Sequence, residues 1–570
     1  MITNKISDQP LQKIALSCSG GGYRAASFHL GSMSYLNRHI YNGKPLLENV
    51  KLISTVSGGT ITGVVYALHK QKGKSFRDIY HFLLDQLHTL DLVKGGIEKL
   101  NPGALWNNTH KHKNLINAFA EQYDDAFTKG ATIADLDGLN SHLEAVVFNS
   151  TEFNNAIDFR FKNMGTGYSG NYYIPVGQDI AAEIKLSDVM ASSACFPGGF
   201  EPLLWPDDFV HEQAPHISEL KKNSKAPVGI MDGGIYDNQG IESILNYKSK
   251  NEIPYFDLII ISDVASPYME PYKPFVETKK KGFNTLTLKE VKKKAETISK
   301  GISMGLLVCI ALFALLPAIW QYPNNIGTGL SLGIAGVLLL LLIAKMMAVG
   351  AIKKKIAQML HALEKKIPSF YFKKLSKLKI EELSVHRAQP LIMDRLNSLV
   401  TLLMDVFLKV VRRLNYYKLY NNNNFKYRRI SNLIKELTEM DFNANVLRRQ
   451  QDQAAAGKTP DFSIFNGTYN EVVGTAIKGV AESASSFGTT LWFTDDDKLS
   501  DMLDQLIATG QFTMCYNLIE YLEKLIYDKD SGYDGLDQQK KDNLQKLYSD
   551  CKEDWKQFKD DPMFMVKELG

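Results

Sequence analysis

Cysteine is scarce in this sequence, and its spacing excludes two kinds of small stabilised fold. The chain has 5 cysteines, each standing alone with no C-x-x-C pair among them, at Cys18, Cys195, Cys309, Cys515 and Cys551. Zinc ribbons and disulfide frameworks both need cysteines in close, recurring spacings. The sequence therefore predicts neither, and the scattered thiols are typical of a chain kept in a reducing compartment.

Other familiar patterns are also missing. The first residues, MITNKISDQP, are polar and contain no apolar stretch of the kind that a signal peptide has, so we expect none. The glycines near residue 20 do not form a G-x-G-x-x-G or end in G-K-[ST], which disfavours a nucleotide phosphate as their ligand. The net charge is only +4 over 570 residues, and we expect no nucleic-acid partner.

Long charge-free runs, by contrast, are present near the middle of the chain. Residues 301–320, GISMGLLVCIALFALLPAIW, and residues 326–344, IGTGLSLGIAGVLLLLLIA, contain no charged side chain. At about 1.5 Å per residue, each run as a helix reaches roughly 30 Å, the thickness of a bilayer's hydrocarbon core. The alternative is a buried helical hairpin in a soluble core, but two such runs in succession are rare there. We therefore predict a two-helix transmembrane hairpin over 301–349.

The residues beside these runs predict the orientation of the hairpin. Lysine triplets precede the first run, at 279–281 and 292–294, and another follows the second run at 353–355, whereas the intervening QYPNN has no positive charge. By the positive-inside rule, both ends of the hairpin lie in the cytoplasm. Trp320 and Tyr322 stand where an interfacial aromatic belt is expected. The lysines are also suited to anionic lipid headgroups.

The first half of the chain has the pattern of an α/β fold. Between residues 11 and 265, short runs rich in isoleucine, valine and phenylalanine alternate with helical patterns, which predicts a layered sheet with flanking helices. From residue 351 onward, apolar residues recur at the i, i+3, i+4 spacing of helices. Part of this region, 393–414 especially, is expected to pack against the α/β core. The predicted strands are 13–18, 51–56, 142–150, 156–161, 228–231 and 256–264.

Ser57 is the first candidate for catalysis. It follows the strand that ends at Val56 and precedes an apolar helical stretch, which is the setting of a nucleophile elbow. Gly58 and Gly59 permit a sharp turn, and the following helix places partial positive charge near the serine oxygen. The usual pattern is G-x-S-x-G, and Thr55 replaces its first glycine, so a side chain could crowd the turn. Taken alone, the segment fits an ordinary turn as well as a nucleophile.

A glycine loop precedes this serine in the chain. The segment SGGGYR (19–24) stands between a predicted strand and a predicted helix. Three consecutive glycines leave backbone N–H groups unobstructed at a helix N-terminus, which suits an anion and therefore an oxyanion hole. Arg24 at the end of the loop either orients it or contacts a phosphate headgroup.

The candidate base is an aspartate. Asp232 directly follows the predicted strand 228–231 and precedes a glycine turn in the segment DGGIYDN (232–238). A serine needs a base to accept its proton at neutral pH. Only His361 and His386 follow this turn, both beyond the predicted hairpin, and His29 is expected to be structural. A Ser–Asp dyad therefore fits the chain better than a Ser–His–Asp triad.

Four segments, in this order, resemble the motif set of the patatin-like phospholipases. They are SGGGYR (19–24), VSGGT (56–60), ASSACFPGGFEP (191–202) and DGGIYDN (232–238). In that family a glycine loop with a basic residue precedes the nucleophile elbow, then a small-residue segment with a proline turn, then a D-G-G turn. The similarity covers roughly residues 11–265, more loosely over 71–185. The cytosolic phospholipase A2 group shares a similar elbow and dyad.

The resemblance implies lipid acyl hydrolysis without a metal or other cofactor. The small-residue segment either packs closely against the catalytic loops or touches the substrate, and Cys195 within it is expected to be a small buried apolar residue. Carried over by position, the implied site consists of the nucleophile Ser57, the base Asp232, the oxyanion-hole residues Gly20, Gly21 and Gly22, and the substrate contacts Arg24 and Gly58.

Together these observations predict a membrane-anchored serine acyl hydrolase of the phospholipase A or lysophospholipase type. Its partners are expected to be membrane phospholipids and the bilayer, with both termini and the catalytic domain in the cytoplasm. The predicted parts are a patatin-like acyl hydrolase domain (1–275), a basic juxtamembrane segment (276–300), the hairpin (301–349) and an α-helical region (350–570). The last would partly complete the core and is a candidate for regulation or homo-oligomerisation.

A different class of function stays open at this point. The chain could be a lipid-sensing or membrane-disrupting effector, whose patatin-like domain is silent until activated or does not catalyse. Thr55 is the feature that favours this alternative, whereas the serine, the aspartate and the glycine loop favour an enzyme.

Overall fold

The computed structural model describes most of the chain. The described residues are 5–106, 108–138, 140–163, 169–224, 226–248, 254–265, 282–320, 325–366, 382–402, 406–455 and 463–570. They fall into two compact units, one taken from residues 1–269 and 403–570 and the other from residues 270–402. The lysine triplet at 279–281, Tyr322 and most of the QYPNN loop lie outside the described residues.

The strands of the first unit confirm the predicted α/β class. Each of the six strands predicted from the sequence is present, with ends shifted by up to three residues. The described strands are β1 (Ile14–Cys18), β2 (Ile40–Tyr41), β3 (Lys44–Pro45), β4 (Val50–Val56), β5 (Ala145–Glu152), β6 (Ile157–Lys162), β7 (Ser169–Gly170), β8 (Pro175–Val176), β9 (Leu203–Trp205), β10 (Val228–Asp232), β11 (Leu258–Asp263) and β12 (Arg429–Leu433).

Ten of these strands form one mixed sheet. Its order is β12-β11-β1-β4-β5-β6-β7-β8, and β10 pairs with both β5 and β9. From β12 to β5 neighbouring strands are parallel, as expected for strands joined by crossover connections, and β6 to β8 are antiparallel. The edge strand β12 comes from the C-terminal region, which the sequence predicted as helical throughout.

Two strands end at adjacent positions along β5. In the parallel pair, Val56 at the end of β4 is opposite Asn149 of β5. In the antiparallel pair, Asp232 at the end of β10 is opposite Ser150, the next residue of β5. The register therefore brings the end of β4, which precedes Ser57, next to the end of β10.

Helices cover this sheet in the first half of the chain. The parallel strands β1 and β11 are buried along their whole length, and their apolar side chains alternate between two core clusters. The helices are α1 (Gly22–Arg38), α2 (Gly58–Gln71), α3 (Phe76–Thr89), α4 (Leu92–Leu100), α5 (Leu115–Tyr123), α6 (Gln178–Glu183), α7 (Leu186–Ser193), α8 (Pro215–Asn223), α9 (Gly234–Asp237) and α10 (Ile241–Leu245).

The C-terminal region completes the same core. Its longest helix, α19 (Met502–Tyr527), packs against α1 at a point where both helices have glycine. A Cβ on Gly31 would lie 2.0 Å from the carbonyl oxygen of Ile507, and one on Gly510 would lie 2.1 Å from that of Phe28. The close approach therefore requires both glycines. The other helices here are α14 (Phe407–Tyr420), α15 (Glu439–Ala455), α16 (Tyr469–Val472), α17 (Gly474–Ser486), α18 (Asp495–Leu499), α20 (Gln538–Asp560) and α21 (Phe564–Leu569).

The second unit contains the charge-free runs as two long helices. These are α11 (Leu288–Trp320) and α12 (Asn325–Lys366), followed by the shorter α13 (Val385–Thr401). Segments of the first two, Leu288–Ala318 and Gly327–Lys355, are long and apolar enough to span a membrane by length and composition. Only 0% and 11% of their most apolar windows are buried by protein, which disfavours the alternative of a buried soluble hairpin. Lys345 of α12 donates a 2.8 Å hydrogen bond to the Ser303 hydroxyl of α11.

Candidate active site

Ser57 occupies a strained turn between β4 and α2. Its backbone has φ 50° and ψ −122°, a conformation that a residue with a side chain rarely adopts. Its carbonyl accepts a 2.8 Å hydrogen bond from the Thr60 N–H, which closes the turn. Strain of this kind persists only where the surroundings enforce it, and it is common at catalytic residues. The geometry is that of the predicted nucleophile elbow.

Contacts with neighbouring elements enforce this turn. The Ser57 N–H donates to the Ser193 hydroxyl at 2.9 Å, and that hydroxyl donates to the Asn149 carbonyl at 2.7 Å. A Cβ on Gly58 would lie 2.0 Å from the carbonyl oxygen of Gly22, so a larger residue would push the elbow and the glycine loop apart. The small-residue segment predicted around 191–202 therefore packs closely, and Ser193 is its contact with the elbow.

Thr55 fits inside the elbow without crowding it. Its side chain is buried, and a Cβ on Gly63 of α2 would lie 2.4 Å from its Cγ2 methyl, so Gly63 supplies the space. Its hydroxyl lies 2.9 Å from that of Thr60, which in turn lies 2.9 Å from that of Ser193. Because Ser193 uses its hydroxyl proton to donate to Asn149, it accepts from Thr60, and Thr60 in turn accepts from Thr55. The threonine thus joins the network that holds the elbow.

Asp232 faces the elbow from the end of β10. It is 6% exposed, and its Oδ1 accepts a 2.7 Å hydrogen bond from the Gly234 N–H. The Ser57 side chain lies close enough to the same carboxylate to lower its pKa. Burial nevertheless raises the pKa of Asp232 to about 6, because it outweighs both this interaction and the hydrogen bond from Gly234. The two predicted residues of the dyad are therefore neighbours.

His29 has a structural environment away from this pair. Its Nδ1 lies 2.7 Å from the Ser262 hydroxyl and its Nε2 lies 2.9 Å from the Ser19 carbonyl. Since a carbonyl only accepts, Nε2 carries the proton and Nδ1 accepts from Ser262. Burial lowers the pKa of His29 to about 4, so the ring is neutral at physiological pH. Through its hydrogen bond to the Ser19 carbonyl, the His29 ring helps to hold the glycine loop in place.

The glycine loop lies directly against Ser57. A Cβ on Gly20 would be 3.0 Å from the Ser57 Cβ and 2.5 Å from Asn238 Oδ1. The Gly20 N–H already donates to the Asn238 carbonyl at 3.0 Å, so it is occupied. No described residue accepts a hydrogen bond from the Gly21 N–H, and Gly22 and Gly58 begin helices, where the first amides have no partner within the helix. The donors available beside Ser57 are therefore Gly21, Gly22 and Gly58.

Arg24 anchors the loop and points away from solvent. It is 4% exposed, and its guanidinium donates to the Phe487 carbonyl at 2.7 Å and to the Val264 carbonyl at 3.0 Å. Burial lowers the pKa of Arg24 to about 10, and Arg412 adds to this while Asp263 opposes it. Of the two roles that the sequence left open, these contacts match orientation of the loop.

The sequence did not reveal that the C-terminal region also holds this loop. The Tyr23 N–H donates to the Thr490 carbonyl at 2.8 Å, and a Cβ on Gly22 would lie 2.2 Å from the same oxygen. Phe487 contributes the carbonyl that Arg24 binds. The segment 487–490 therefore fixes the first turn of α1. Its residues have no catalytic signature, and only their position after folding shows the contact.

Comparisons with known proteins agree with the motifs. Residues 16–245 match the family model described as patatin-like phospholipase. This span includes the glycine loop, the elbow, the small-residue segment and Asp232, and it excludes the long apolar helices and the C-terminal region. A search of curated protein sequences found no match.

The structural likenesses are distant. Human GIVD cytosolic phospholipase A2 is 13% identical with a TM-score of 0.31, and the match covers 45% of this chain and 44% of that one. VipD from Legionella pneumophila is 11% identical with a TM-score of 0.21, covering 93% and 89%. The chain thus spans less than half of the human protein, and at these TM-scores neither likeness carries an argument about activity.

Proposed function

We infer that this chain, whose residues 16–245 form a patatin-like phospholipase domain, is a membrane-anchored serine acyl hydrolase. Its substrates are the fatty-acyl esters of glycerophospholipids, as in a phospholipase A or a lysophospholipase. The observation that carries the proposal is the placement of the strained Ser57 beside the buried carboxylate of Asp232, at the adjacent ends of β4 and β10. This pairing supplies a nucleophile and a base within one network.

Acyl transfer begins with the proton of Ser57. As Oγ attacks the ester carbonyl, Asp232 accepts this proton, and a pKa of about 6 leaves its carboxylate ionised and still basic at neutral pH. The tetrahedral intermediate then expels the lysophospholipid alkoxide, which takes the proton back from Asp232. Water then attacks the acyl-serine while Asp232 accepts its proton. As the ester bond to Oγ breaks and the fatty acid leaves, Oγ takes that proton back from Asp232, which restores both residues.

The negative charge that develops on the carbonyl oxygen needs donors on the opposite side from Asp232. The amides of Gly21, Gly22 and Gly58 are suited to this because they are unobstructed and lie at the N-termini of α1 and α2. Two helix N-termini add partial positive charge to the same place. Gly20 shapes the contact with Ser57, and its own N–H is bonded to Asn238.

The membrane role rests on the second unit. The two apolar helices would cross the bilayer as a hairpin, with the termini and the catalytic domain on the cytoplasmic side because the lysines flank the runs there. An anchored enzyme stays in the leaflet that contains its substrate. The local concentration of ester is then high regardless of the enzyme's affinity for a single lipid.

The test is release of fatty acid from mixed-phospholipid vesicles by the purified full-length chain. Ser57→Ala should reduce release to the background rate, since the nucleophile is gone. Ser224→Ala, the same change at an exposed position remote in the chain, should leave release unchanged. A fluorophosphonate probe should label the parent and the Ser224 variant but not the Ser57 variant.

Two outcomes separate the alternatives. Labelling of Ser57 without fatty-acid release would favour a silent enzyme that awaits an activator. Neither labelling nor release from a folded, vesicle-inserted parent would contradict the proposal and favour a lipid-binding protein without turnover.

A further inference from the structure

A polar cavity of about 380 Å³ lies beside α7. It is bounded by the loop at 108–111, by α5 and the residues after it, by the start of α7, and by the loop at 211–213. Ser57 and Asp232 do not line it. A volume of this size suits a small organic molecule.

Two buried polar atoms of the lining residues have no hydrogen-bond partner among the described residues. Asp188 is fully buried, and its Oδ1 accepts from the Lys111 ammonium, yet no described residue donates to its Oδ2. His211 is 6% exposed, and its Nε2 lies 2.7 Å from the Glu183 carbonyl. Since that carbonyl only accepts, Nε2 carries a proton, and Nδ1 has no hydrogen-bond partner among the described residues. Buried polar atoms without a partner are rare and call for a ligand or ordered water.

The charge of the lining defines the kind of ligand. Five carboxylates and two lysine ammonium groups line the cavity, and Lys99 outside the lining pairs with two of these carboxylates, Glu121 and Asp125, which leaves two net negative charges from these groups. The two lining lysines are paired as well, Lys111 with Asp188 and Lys185 with Asp124 at 3.1 Å. A ligand that satisfies Asp188 Oδ2 must therefore donate a hydrogen bond, and a positive charge is favoured. We propose that this cavity binds a small alkylammonium compound through N–H donors.

Other ligand classes fit less well. An anion such as phosphate would meet net negative charge and, at Asp188 Oδ2, an atom that accepts hydrogen bonds. A metal ion would need several close oxygen or nitrogen ligands, and the described residues contain no group of three or more histidine, cysteine, aspartate or glutamate side chains placed to hold one. A neutral polyol can donate hydrogen bonds but is not attracted by the net negative charge of the lining.

One helix joins this cavity to the elbow. Asp188 is in the first turn of α7, and Ser193, which accepts the Ser57 N–H, is its last residue. At about 1.5 Å per residue the two are separated by roughly 8 Å along the helix. Occupancy of the cavity would therefore restrain the helix that holds the nucleophile. This regulatory consequence rests on the proposed acyl hydrolase activity, whereas the binding site itself does not.

Isothermal titration calorimetry on the detergent-solubilised full chain tests the binding without requiring turnover. The probes are 1,4-diaminobutane, tetramethylammonium, glycerol and inorganic phosphate. We expect diaminobutane to bind at least about tenfold more tightly than the other three, because it alone combines positive charge with N–H donors. Raising the salt concentration should weaken the binding of diaminobutane.

Variants locate the binding. Asp188→Asn should weaken diaminobutane at least about tenfold, since an amide N–H replaces the free acceptor. Because this change also leaves Lys111 without its carboxylate, Glu212→Gln on the exposed rim is the second variant, with an expected loss of about threefold. Glu219→Gln, the same change on exposed α8 outside the cavity, should have no effect.

The results have clear consequences. Equal binding of tetramethylammonium or glycerol would overturn the alkylammonium assignment. No heat with any probe would mean that the cavity holds water only, and unchanged binding in both Asp188 and Glu212 variants would place the ligand elsewhere. Because no step depends on hydrolysis, a parent that binds diaminobutane but shows neither fluorophosphonate labelling nor fatty-acid release would contradict the proposed function and leave this binding site supported.

Discussion

The two turns that meet at the candidate active site are held by different parts of the chain. The elbow at Ser57 is held from within the patatin-like domain, by Ser193 and by the close fit of Thr55 on Gly63. The glycine loop depends on residues outside it, because Tyr23 donates to Thr490 and Arg24 donates to Phe487 and Val264. The proposed nucleophile is thus held locally, whereas the proposed oxyanion donors are positioned by a segment more than 460 residues later in the sequence.

This difference suggests that hydrolysis depends on the C-terminal region even though the motifs do not extend into it. The edge strand β12 and the glycine contact between α1 and α19 also support this dependence, since both bury residues of the first half of the chain against the last part. A change on the elbow side should remove the chemistry itself. A change on the loop side should lower the rate while the Ser57–Asp232 pair remains.

The largest effect is expected at Asp232. Asp232→Asn removes the base but keeps the shape, so fatty-acid release should fall by at least about 10³-fold. In the parent, the rate should decline as pH falls through about 6, because a protonated Asp232 cannot accept the Ser57 proton. The variant should lack this step in any residual rate. Rates measured from pH 5 to 8 on both proteins check the prediction.

The same variant has an opposite effect on stability. Asp232 has a folded-state pKa of about 6 against an ordinary 3.8, so the folded chain binds the extra proton more tightly and is stabilised at low pH. That stability is lost as pH rises through 6, and Asp232→Asn should raise the unfolding free energy at pH 8 by up to about 3 kcal/mol. An inactive variant that is also less stable at pH 8 would indicate a structural role for Asp232.

The glycine loop should give the next largest effect. In Gly22→Ala, the new Cβ would meet the Thr490 carbonyl at 2.2 Å on a backbone with φ 61°, so the loop and the segment 487–490 must separate. Loss of an oxyanion donor typically lowers kcat by about 10²-fold, and we expect a decrease of that order. Steady-state kinetics on phospholipid vesicles measure it.

Gly73→Ala is the matched control for this change. Gly73 has a similar φ of 72° with nothing within 4 Å of its added Cβ, so it shares the backbone strain of about 1 kcal/mol but not the clash. If both variants lose the same activity, the contact with the C-terminal region is not what positions the loop. The difference proposed between the elbow and the glycine loop would then be contradicted.

Much of this site could be predicted because its signals are local. Apolar runs mark β1, β4, β5 and β11, and the glycine loop, the elbow and the D-G-G turn each stand at the end of a strand. The meeting of Ser57 with Asp232 is different, because it depends on β4 and β10 ending at adjacent positions of β5. Strand register is a property of the assembled sheet and cannot be derived from the spacing of residues in the sequence. Here the pairing of Ser57 with Asp232 was predicted from the resemblance to a family.

The features that were missed are contacts between distant residues. The strand β12 has five residues, alternates between buried and half-buried positions and follows an asparagine run, so it carries no strong apolar signal. Thr490 acts through its backbone carbonyl, which any residue has. Gly63 compensates for Thr55 only after the elbow folds α2 back against β4. Each of these needed the tertiary structure.

Arg24 should have a smaller effect than Gly22, and it tests the same side of the site. Arg24→Lys cannot reach both the Phe487 and the Val264 carbonyl, so the loop should loosen and kcat should fall about tenfold with little change in KM. A rise in KM at constant kcat would instead indicate that Arg24 binds a lipid headgroup. Initial rates over a range of vesicle lipid concentrations distinguish the two.

The smallest effect is expected inside the elbow, where a pair of substitutions tests how Thr55 is accommodated. Gly63→Ala places a Cβ 2.4 Å from the Thr55 Cγ2 and should destabilise the chain by about 1–3 kcal/mol. Thr55→Ser removes that methyl but keeps the hydroxyl that bonds to Thr60. The double variant should recover at least about 1 kcal/mol relative to the sum of the single changes. Thr55→Ser alone should change the rate by less than about threefold.

The control for this pair is Gly479→Ala on α17, which has open space around it and should be neutral or stabilise by up to about 1 kcal/mol. Additive effects in the Thr55–Gly63 pair would mean that the methyl does not rest against Gly63. The presence of Thr55 would then again favour the alternative function, a domain that binds lipid without turnover. Recovery in the double variant would show that one glycine on α2 replaces the one missing from the motif, and that the elbow is complete within the patatin-like domain.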